Sequence, residues 1–352
     1  MVNLAMEPLV RDAWYVGAWS NELDDGPLAR KLLGQDMVLF RGADGKAGAL
    51  EDRCPHRGVR LSLGASVEKG LQCGYHGMVF GRDGACTVNP GEALNPGFKV
   101  RSFPVVERQN FVWVWMGDPA RADEGAIVNY DYHDRTDEYN FHYARYDIAA
   151  NYMFMIDNLM DLTHLGYVHT STIGGNPAEH DHAELITERT ENGAHFCRWM
   201  MASTPPPSFQ AVAGFKGKID RWGDFEYVAP ASVLQWAGGH DADTGGRENR
   251  DKPGGLVLRL FHQATPADEH NFHYFFSTAL RGKAKDDPAN LAFHADILKA
   301  FLEDKVFMES QQDIVGRDPS RALLLRTHDK AVAYARQAIR RMQETALSEA
   351  AE

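Results

Sequence analysis

The chain has 352 residues, 44% hydrophobic and 24% charged, with a formal net charge of −12. That length suits about two globular domains, and the acidic balance argues against nucleic acid or an anionic membrane surface as a partner. No run approaches the ~20 apolar residues of a membrane-spanning helix. The N-terminus lacks the basic and then apolar segments of a secretion signal, so a cytoplasmic location is expected.

The first third reads as short strands and turns. Residues 36–41 and 46–52 flank Gly42-Ala-Asp-Gly45 and predict one hairpin, while 77–81 and 85–88, joined through Asp83-Gly84, predict another. Residues 111–117 form a strand with an aromatic at every second position, Phe111, Trp113 and Trp115.

Between these elements lie Cys54-Pro-His56-Arg-Gly and Cys73-Gly-Tyr-His76-Gly. Each places one thiolate and one imidazole on a tight loop. Two such half-sites are the donor set of a Rieske [2Fe–2S] cluster, in which two thiolates hold one iron and two imidazoles the other. Because imidazole is neutral, that set raises the reduction potential above that of a plant-type ferredoxin. A Cys2His2 zinc site is the rival, but zinc fingers pair Cys with Cys and His with His along the chain. Cys86 and Cys197 are expected as reduced thiols packed like small hydrophobes, with a disulfide as the alternative. Residues 1–118 are thus expected to form an N-terminal antiparallel β domain of Rieske type. An acidic, aromatic stretch at 123–137 leads into a second domain, 119–352.

In the second domain, 152–167 carries apolar residues at Met155, Ile156, Leu159, Met160 and Leu162, a helical spacing. Strand-like runs follow at 194–201, 225–228, 232–236, 256–261 and 272–278, and helices at 288–315 and 328–348 close the chain. Strands grouped between helices point to an α+β domain with an antiparallel sheet flanked by helices. Residues 202–210, with three consecutive prolines, and 239–255 read as loops that border a substrate entrance or are plain surface excursions.

The helix at 152–167 runs into the second chemical constellation, Asp157, Asn158, Asp161, His164 and His169. On an unbroken helix Asp157, Asp161 and His164 share a face, whereas His169 falls about 140° from His164. The helix must therefore end or bend near Gly166 if both imidazoles are to reach one ion. Two imidazoles and one carboxylate make the facial triad of a non-haem Fe(II) oxygenase, with positions left open for O2. Asp304 is the candidate carboxylate. It falls inside the apolar stripe of Ile297, Ala300, Phe301, Phe307 and Met308, where an ionised side chain is costly unless paired or metal-bound. A salt bridge to another side chain is the alternative, and Glu303 and Lys305 read as solvated.

With Ala13-Trp-Tyr-Val-Gly-Ala18, Val100-Arg-Ser-Phe-Pro-Val-Val-Glu-Arg108, Val112-Trp-Val-Trp115, Gly117-Asp-Pro119, Tyr167-Val-His169 and Glu303-Asp304, the chain resembles the Rieske non-haem iron oxygenases over nearly its whole length. Among them it is most similar to the oxygenase components of aromatic O-demethylases of the vanillate and dicamba types. The resemblance implies a helix-grip-like C-terminal domain, with His164, His169 and Asp304 holding a mononuclear Fe(II) and Asn158 beside its open face. It implies a homotrimer in which Asp161 links a cluster histidine of one subunit to an iron-ligand histidine of its neighbour; alternatively, Asp161 only orients His164 within its own chain.

The implied partners are O2, an aromatic small molecule and a separate NAD(P)H-dependent reductase of flavin/iron–sulfur type. The absence of a G-x-G-x-x-G fingerprint agrees with an external electron donor. The implied reaction is O-demethylation of a methoxylated, vanillate-like aromatic acid to a phenol and formaldehyde. Ring dihydroxylation, another Rieske monooxygenation and plain electron transfer are the alternatives. His262 and Gln235 fall at substrate-contacting positions of the dicamba type, where they would hold a carboxylate or merely satisfy buried backbone groups. Ala295 stands where that type has a Trp.

Overall fold

Short apolar runs punctuated by Gly and Asp build the N-terminal part of the computed structural model, which describes residues 9–349. The strands are β1 (Trp14–Trp19), β2 (Leu28–Leu32), β3 (Gln35–Arg41), β4 (Ala47–Glu51), β5 (Ala65–Val67), β6 (Gly70–Gln72), β7 (Val79–Phe80), β8 (Cys86–Val88), β9 (Ser102–Phe103), β10 (Val105–Arg108) and β11 (Phe111–Trp115). They form three small antiparallel sheets of order β1-β11-β10, β2-β3-β4-β9 and β5-β6-β7-β8. The hairpins expected at 36–52 and 77–88 are β3-β4 and β7-β8. The alternating aromatics of β11 lie between β1 and β10, where Trp14 meets Trp115 at 5.5 Å and Trp19 stacks on Phe111 at 4.9 Å. These rings supply much of the burial that lets so small a β unit fold.

The described residues divide into two compact units, 9–129 with 265–269, and 130–264 with 270–349. Residues 265–269 join the first unit through Thr265 Oγ1, which donates to the Val16 carbonyl at 2.8 Å, and through the Leu33 and Gly34 N–H groups, which donate to Pro266 and Ala267 carbonyls.

The second unit is one seven-stranded antiparallel sheet, in spatial order β12 (His142–Ile148), β18 (Phe272–Leu280), β17 (Leu256–Pro266), β16 (Ser232–Asp241), β15 (Ile219–Val228), β14 (Gly193–Ser203) and β13 (Glu184–Thr190). The five central strands are those the apolar pattern predicts. The two that the pattern misses, β12 and β13, are the sheet's edges. Their sequences, HYARYDI and ELITERT, are polar along much of their length because an edge strand has one side in water.

Helices cover this sheet. They are α1 (Tyr152–Met160), α2 (Leu165–Val168), α3 (Pro177–His180), α4 (Pro207–Ala213), α5 (Pro288–Arg317) and α6 (Lys330–Glu349). α5 packs on β12 and β18, α6 on β13 and β14, and α1 on β15. Part of the proline-rich stretch expected as a loop is α4, whose Pro207 occupies the tolerated first helical position. In α5, Phe293, Ile297, Ala300, Phe301, Asp304 and Met308 are buried, but Phe307, expected on the same stripe, is 60% exposed. Among the described residues no helix is long and apolar enough to cross a membrane.

Candidate metal centres and substrate cavity

The two Cys/His loops of the first unit are copies of one turn. In the first, Gly58 N–H donates to the Cys54 carbonyl at 2.9 Å and Cys54 N–H to the Val59 carbonyl at 2.8 Å. In the second, Gly77 donates to Cys73 at 3.0 Å and Cys73 to Met78 at 2.8 Å. Gly58 and Gly77 close the turns at φ +72° and +75°, a region open to glycine without steric cost. In each loop the cysteine is buried and the histidine exposed. Cys54 and Cys73 pack into a core that includes Phe40, Leu71 and Phe80, while the His56 and His76 rings face each other 4.5 Å apart. Burial, reinforced by the adjacent Cys73, pushes the Cys54 thiol up. Coordination to iron would reverse that, since a metal-bound thiol is deprotonated. Two thiols on an apolar floor with two imidazoles at the mouth fit the asymmetric donor set of a Rieske cluster. None of the four cysteines is disulfide-bonded.

In the second unit the path of the chain at 151–169 decides the site. Asn151 caps α1, its side chain accepting from Met153 N–H at 3.1 Å. The helix stops at Asp161, five residues before the expected bend at Gly166. Asp161 adopts an extended conformation (φ −132°, ψ 105°) and its carboxylate caps the next turn, accepting from Thr163 N–H at 2.9 Å and Thr163 Oγ1–H at 3.0 Å. Asp is among the best residues for that role. Asp157, Asp161 and His164 therefore do not share a helix face. Asp157 instead receives the guanidinium of buried Arg336 from α6, at 3.0 and 2.5 Å. The turn Leu162–His164 and the short α2 then carry His164 and His169 to one point.

At that point His164 Nε2 lies 3.5 Å and His169 Nε2 3.1 Å from Asp304 Oδ1, and the ligand atoms of all three lie within 4.8 Å of one another. Each imidazole is oriented through its other nitrogen. His164 Nδ1–H donates to the Asp161 main-chain carbonyl at 2.8 Å, and His169 Nδ1–H to Glu303 Oε2 at 2.8 Å. Both Nε2 atoms are thereby left as acceptors aimed at the common centre. Asn158 Nδ2 donates to Asp304 Oδ1 at 3.1 Å. Burial lowers His164. Burial would lower His169 too, but hydrogen bonds and charge from Asp304 and Glu303 outweigh it and raise that residue. Two outward-anchored imidazoles and one buried carboxylate could hold a divalent iron and leave coordination positions open.

A cavity opens beside these residues. One lobe is lined by His164, His169, Asp304, Asn158, Phe301 and Gln235 among others. A second shares Leu162, Leu165, Ile173, Phe225 and Gln235 with it and continues to Arg198, Arg221, Phe209, Leu258, Phe293 and Ile297. The expectation for His262 needs correction. Its ring lies behind the wall, with Nε2 2.8 Å from Gln235 Oε1 and Nδ1 2.7 Å from Tyr274 Oη. Burial depresses His262 to about 3, so the ring is neutral at physiological pH. Gln235 lines both lobes; its carbonyl is fixed by His262, and no residue described accepts from its NH2. These two residues bond to each other and to Tyr274, not to buried backbone.

Glu303 is also corrected. It orients His169, although its place off the apolar stripe suggested a solvated residue; its position in the Glu303-Asp304 pair was the available signal. Arg198, Arg221 and the Asp157–Arg336 pair had no signal of their own, since each depends on strand register or helix packing.

Residues 13–104 match the family described as the Rieske [2Fe-2S] domain, and residues 148–345 match the vanillate O-demethylase oxygenase C-terminal domain. The chain is 38% identical, over 90% of its length and 92% of the relative's, to a putative toluene-4-sulfonate monooxygenase system iron-sulfur subunit of Comamonas testosteroni. It is 34% identical to the vanillate O-demethylase oxygenase subunit of Pseudomonas sp. strain HR199, over 94% of each chain. A crystal structure of dicamba monooxygenase bound to dicamba superposes with a TM-score of 0.87 at 31% identity, covering 98% of this chain and 100% of that one. A crystal structure of the same enzyme with non-haem iron and dicamba gives 0.75 at 30% identity, covering 97% and 100%.

Proposed function

The chain belongs to the Rieske oxygenases with a catalytic domain of the vanillate O-demethylase type, and from that premise we propose that it is a terminal oxygenase component that O-demethylates a methoxylated aromatic acid to a phenol and formaldehyde. One observation carries the reading. His164, His169 and Asp304 converge at one end of a largely apolar cavity. When bound, a [2Fe–2S] cluster at Cys54, His56, Cys73 and His76 and a mononuclear iron at His164, His169 and Asp304 supply single electrons and O2 activation.

The chain's own residues position the reaction. Glu303 and the Asp161 carbonyl fix the imidazoles, Asn158 holds Asp304, and the apolar walls exclude water from the reacting carbon. Hydroxylation of an O-methyl carbon gives a hemiacetal, which releases formaldehyde. Overall, O2, two electrons and two protons enter, and phenol, formaldehyde and one water leave.

The electrons come from an NAD(P)H-dependent flavin/iron–sulfur reductase, and the working assembly is a homotrimer in the cytoplasm. Free thiols suit a reducing compartment. The exposed imidazoles of His56 and His76 and the half-exposed carboxylate of Asp161 suit a link between neighbouring copies, with Asp161 the bridge.

A panel of methoxylated aromatic acids, incubated with a compatible reductase, tests the reading by formaldehyde release. Formaldehyde equimolar with phenol is expected; a cis-diol, or no oxygen uptake with any member, would overturn it. Toluene-4-sulfonate, the compound in that relative's name, is worth including in the panel as a test of attack on an aryl methyl group. That carbon has no oxygen to expel, so the product there is a stable benzylic alcohol.

A further inference from the structure

We propose that Arg198 and Arg221 form an anion-binding subsite in the second lobe of the cavity, so that the substrate is an arene whose carboxylate or sulfonate is held there while the carbon to be oxidised lies in the lobe of His164, His169 and Asp304. The inference rests on the oxygenase reading above and deepens it.

Sheet register places the pair. Arg198 on β14 is opposite Gly223 on β15, and Arg221 on β15 is opposite Met200 on β14. The two arginines are therefore diagonal cross-strand neighbours on one face of the sheet, and both line the second lobe.

Neither has an ion-pair partner among the described residues. Arg198 Nη1 and Nη2 donate to the Leu162 and His180 carbonyls, both at 2.8 Å, and Arg221 Nη1 and Nη2 to the Gly174 and Ile173 carbonyls at 3.0 and 2.9 Å. Each guanidinium thus keeps three of its five N–H groups uncommitted. Three carboxylates reach them through their fields alone, Asp161 and Asp181 at Arg198 and Glu179 at Arg221, and two of these are engaged elsewhere. Asp161 caps Thr163, and Glu179 is paired with Lys218 at 2.9 Å. Arg198 is only 6% exposed. Burial lowers Arg198 to about 10 and Arg221 to about 9, and the Arg198 charge adds to the lowering at Arg221. Both remain cationic at neutral pH.

Two like charges at an apolar cavity with no ion-pair partner are costly. As struts for the chain around His164 and His169 they would need no charge; as a receptor for an oxyanion they need it. The rest of the lobe is apolar: Phe209 lies under the Arg221 guanidinium, 4.9 Å from ring centre to charge, and Phe293, Ile297 and Leu258 suit the ring that carries the anion.

The test is calorimetric titration of the holoenzyme without reductase, so that nothing turns over, using toluene-4-sulfonate, 4-methoxybenzoate and neutral methoxybenzene. The first two distinguish sulfonate from carboxylate. Arg198→Gln and Arg221→Gln keep a donor for the carbonyls and remove the charge. Each is expected to weaken the preferred anion by roughly 10- to 150-fold, the range for a hydrogen bond to a charged group, and methoxybenzene far less, so the anion-to-neutral affinity ratio collapses. Equal losses for anion and neutral arene would reduce the arginines to struts and overturn the subsite. Unchanged binding, or wild-type protein that binds methoxybenzene as tightly as either anion, would overturn it as well. An arginine-dependent anion preference in an enzyme that oxidises none of the three with reductase would leave the subsite standing and remove the proposed reaction.

Discussion

Glu303 gives the most discriminating test of the mononuclear centre, because nothing but geometry assigns it a role. Its carboxylate accepts from His169 Nδ1 at 2.8 Å and fixes which nitrogen faces the metal. Removing the outer partner of a metal-bound histidine costs about 10- to 100-fold in metal affinity. The Glu303 side chain is 28% exposed, so screening places Glu303→Ala at the lower end, about tenfold or 1.4 kcal/mol. Glu303→Gln keeps an acceptor oxygen but loses the charge. Charge-assisted bonds are roughly twice as strong as neutral ones, so Gln should recover half the energy and fall only about threefold. The assay is competition for Fe(II) with a chromogenic chelator, and the visible spectrum of the cluster serves as an internal control because it belongs to the other unit. Wild-type iron affinity in Glu303→Ala would refute the reasoning. An iron loss accompanied by loss of the cluster spectrum would refute it too, since that would report general unfolding.

Asp304→Ala is expected to lose mononuclear iron and turnover while the cluster spectrum persists; loss of both metals, or of neither, counts against the ligand assignment. Asp161→Asn should fold normally, because Asn caps a turn as well as Asp does. It should keep a reducible cluster and bound iron yet turn over slower by orders of magnitude, and near-normal turnover would remove the bridge. Acid stability follows from His180 and His262, both buried and depressed to about 4 and about 3. The unfolded chain binds protons at these residues below pH 6.5 while the folded chain does not, so stability is present above that pH and falls as pH drops toward 4. At pH 5 each costs about 2 kcal/mol. Thermal melts at pH 7 and pH 5 should show a drop that shrinks in His262→Gln relative to its own pH 7 value; an unchanged drop would show that other groups dominate.

How much the sequence disclosed depends on what kind of information each feature needs. The Cys54/His56 and Cys73/His76 loops were legible to the residue, since thiolate and imidazole are needed whatever surrounds them and both turns are local. The convergence of His164, His169 and Asp304 was legible on two grounds, the histidines from their spacing in one constellation and Asp304 as a carboxylate inside an apolar stripe. The central strands showed in their apolar runs, whereas β12 and β13, half in water at the sheet edges, left no such trace. The break in α1 was misplaced because a glycine looked like the weak point. In fact the chain turns at Asp161, whose short carboxylate competes for backbone N–H groups more effectively than glycine relaxes them.

The substrate lobe lies at the opposite extreme. Arg198 and Arg221 are ordinary charged residues in ordinary strands, and each read alone is a solvated side chain. They become a pair only through the register of β14 on β15, which sets Gly223 opposite Arg198 and Met200 opposite Arg221. A slip of one residue would turn one of them to the other face of the sheet and leave a single charge in the cavity. The proposed metal centre therefore depends on residue identity, whereas the proposed anion subsite depends on strand pairing. On that reading, replacing either arginine changes the charge the cavity accepts without touching His164, His169 or Asp304.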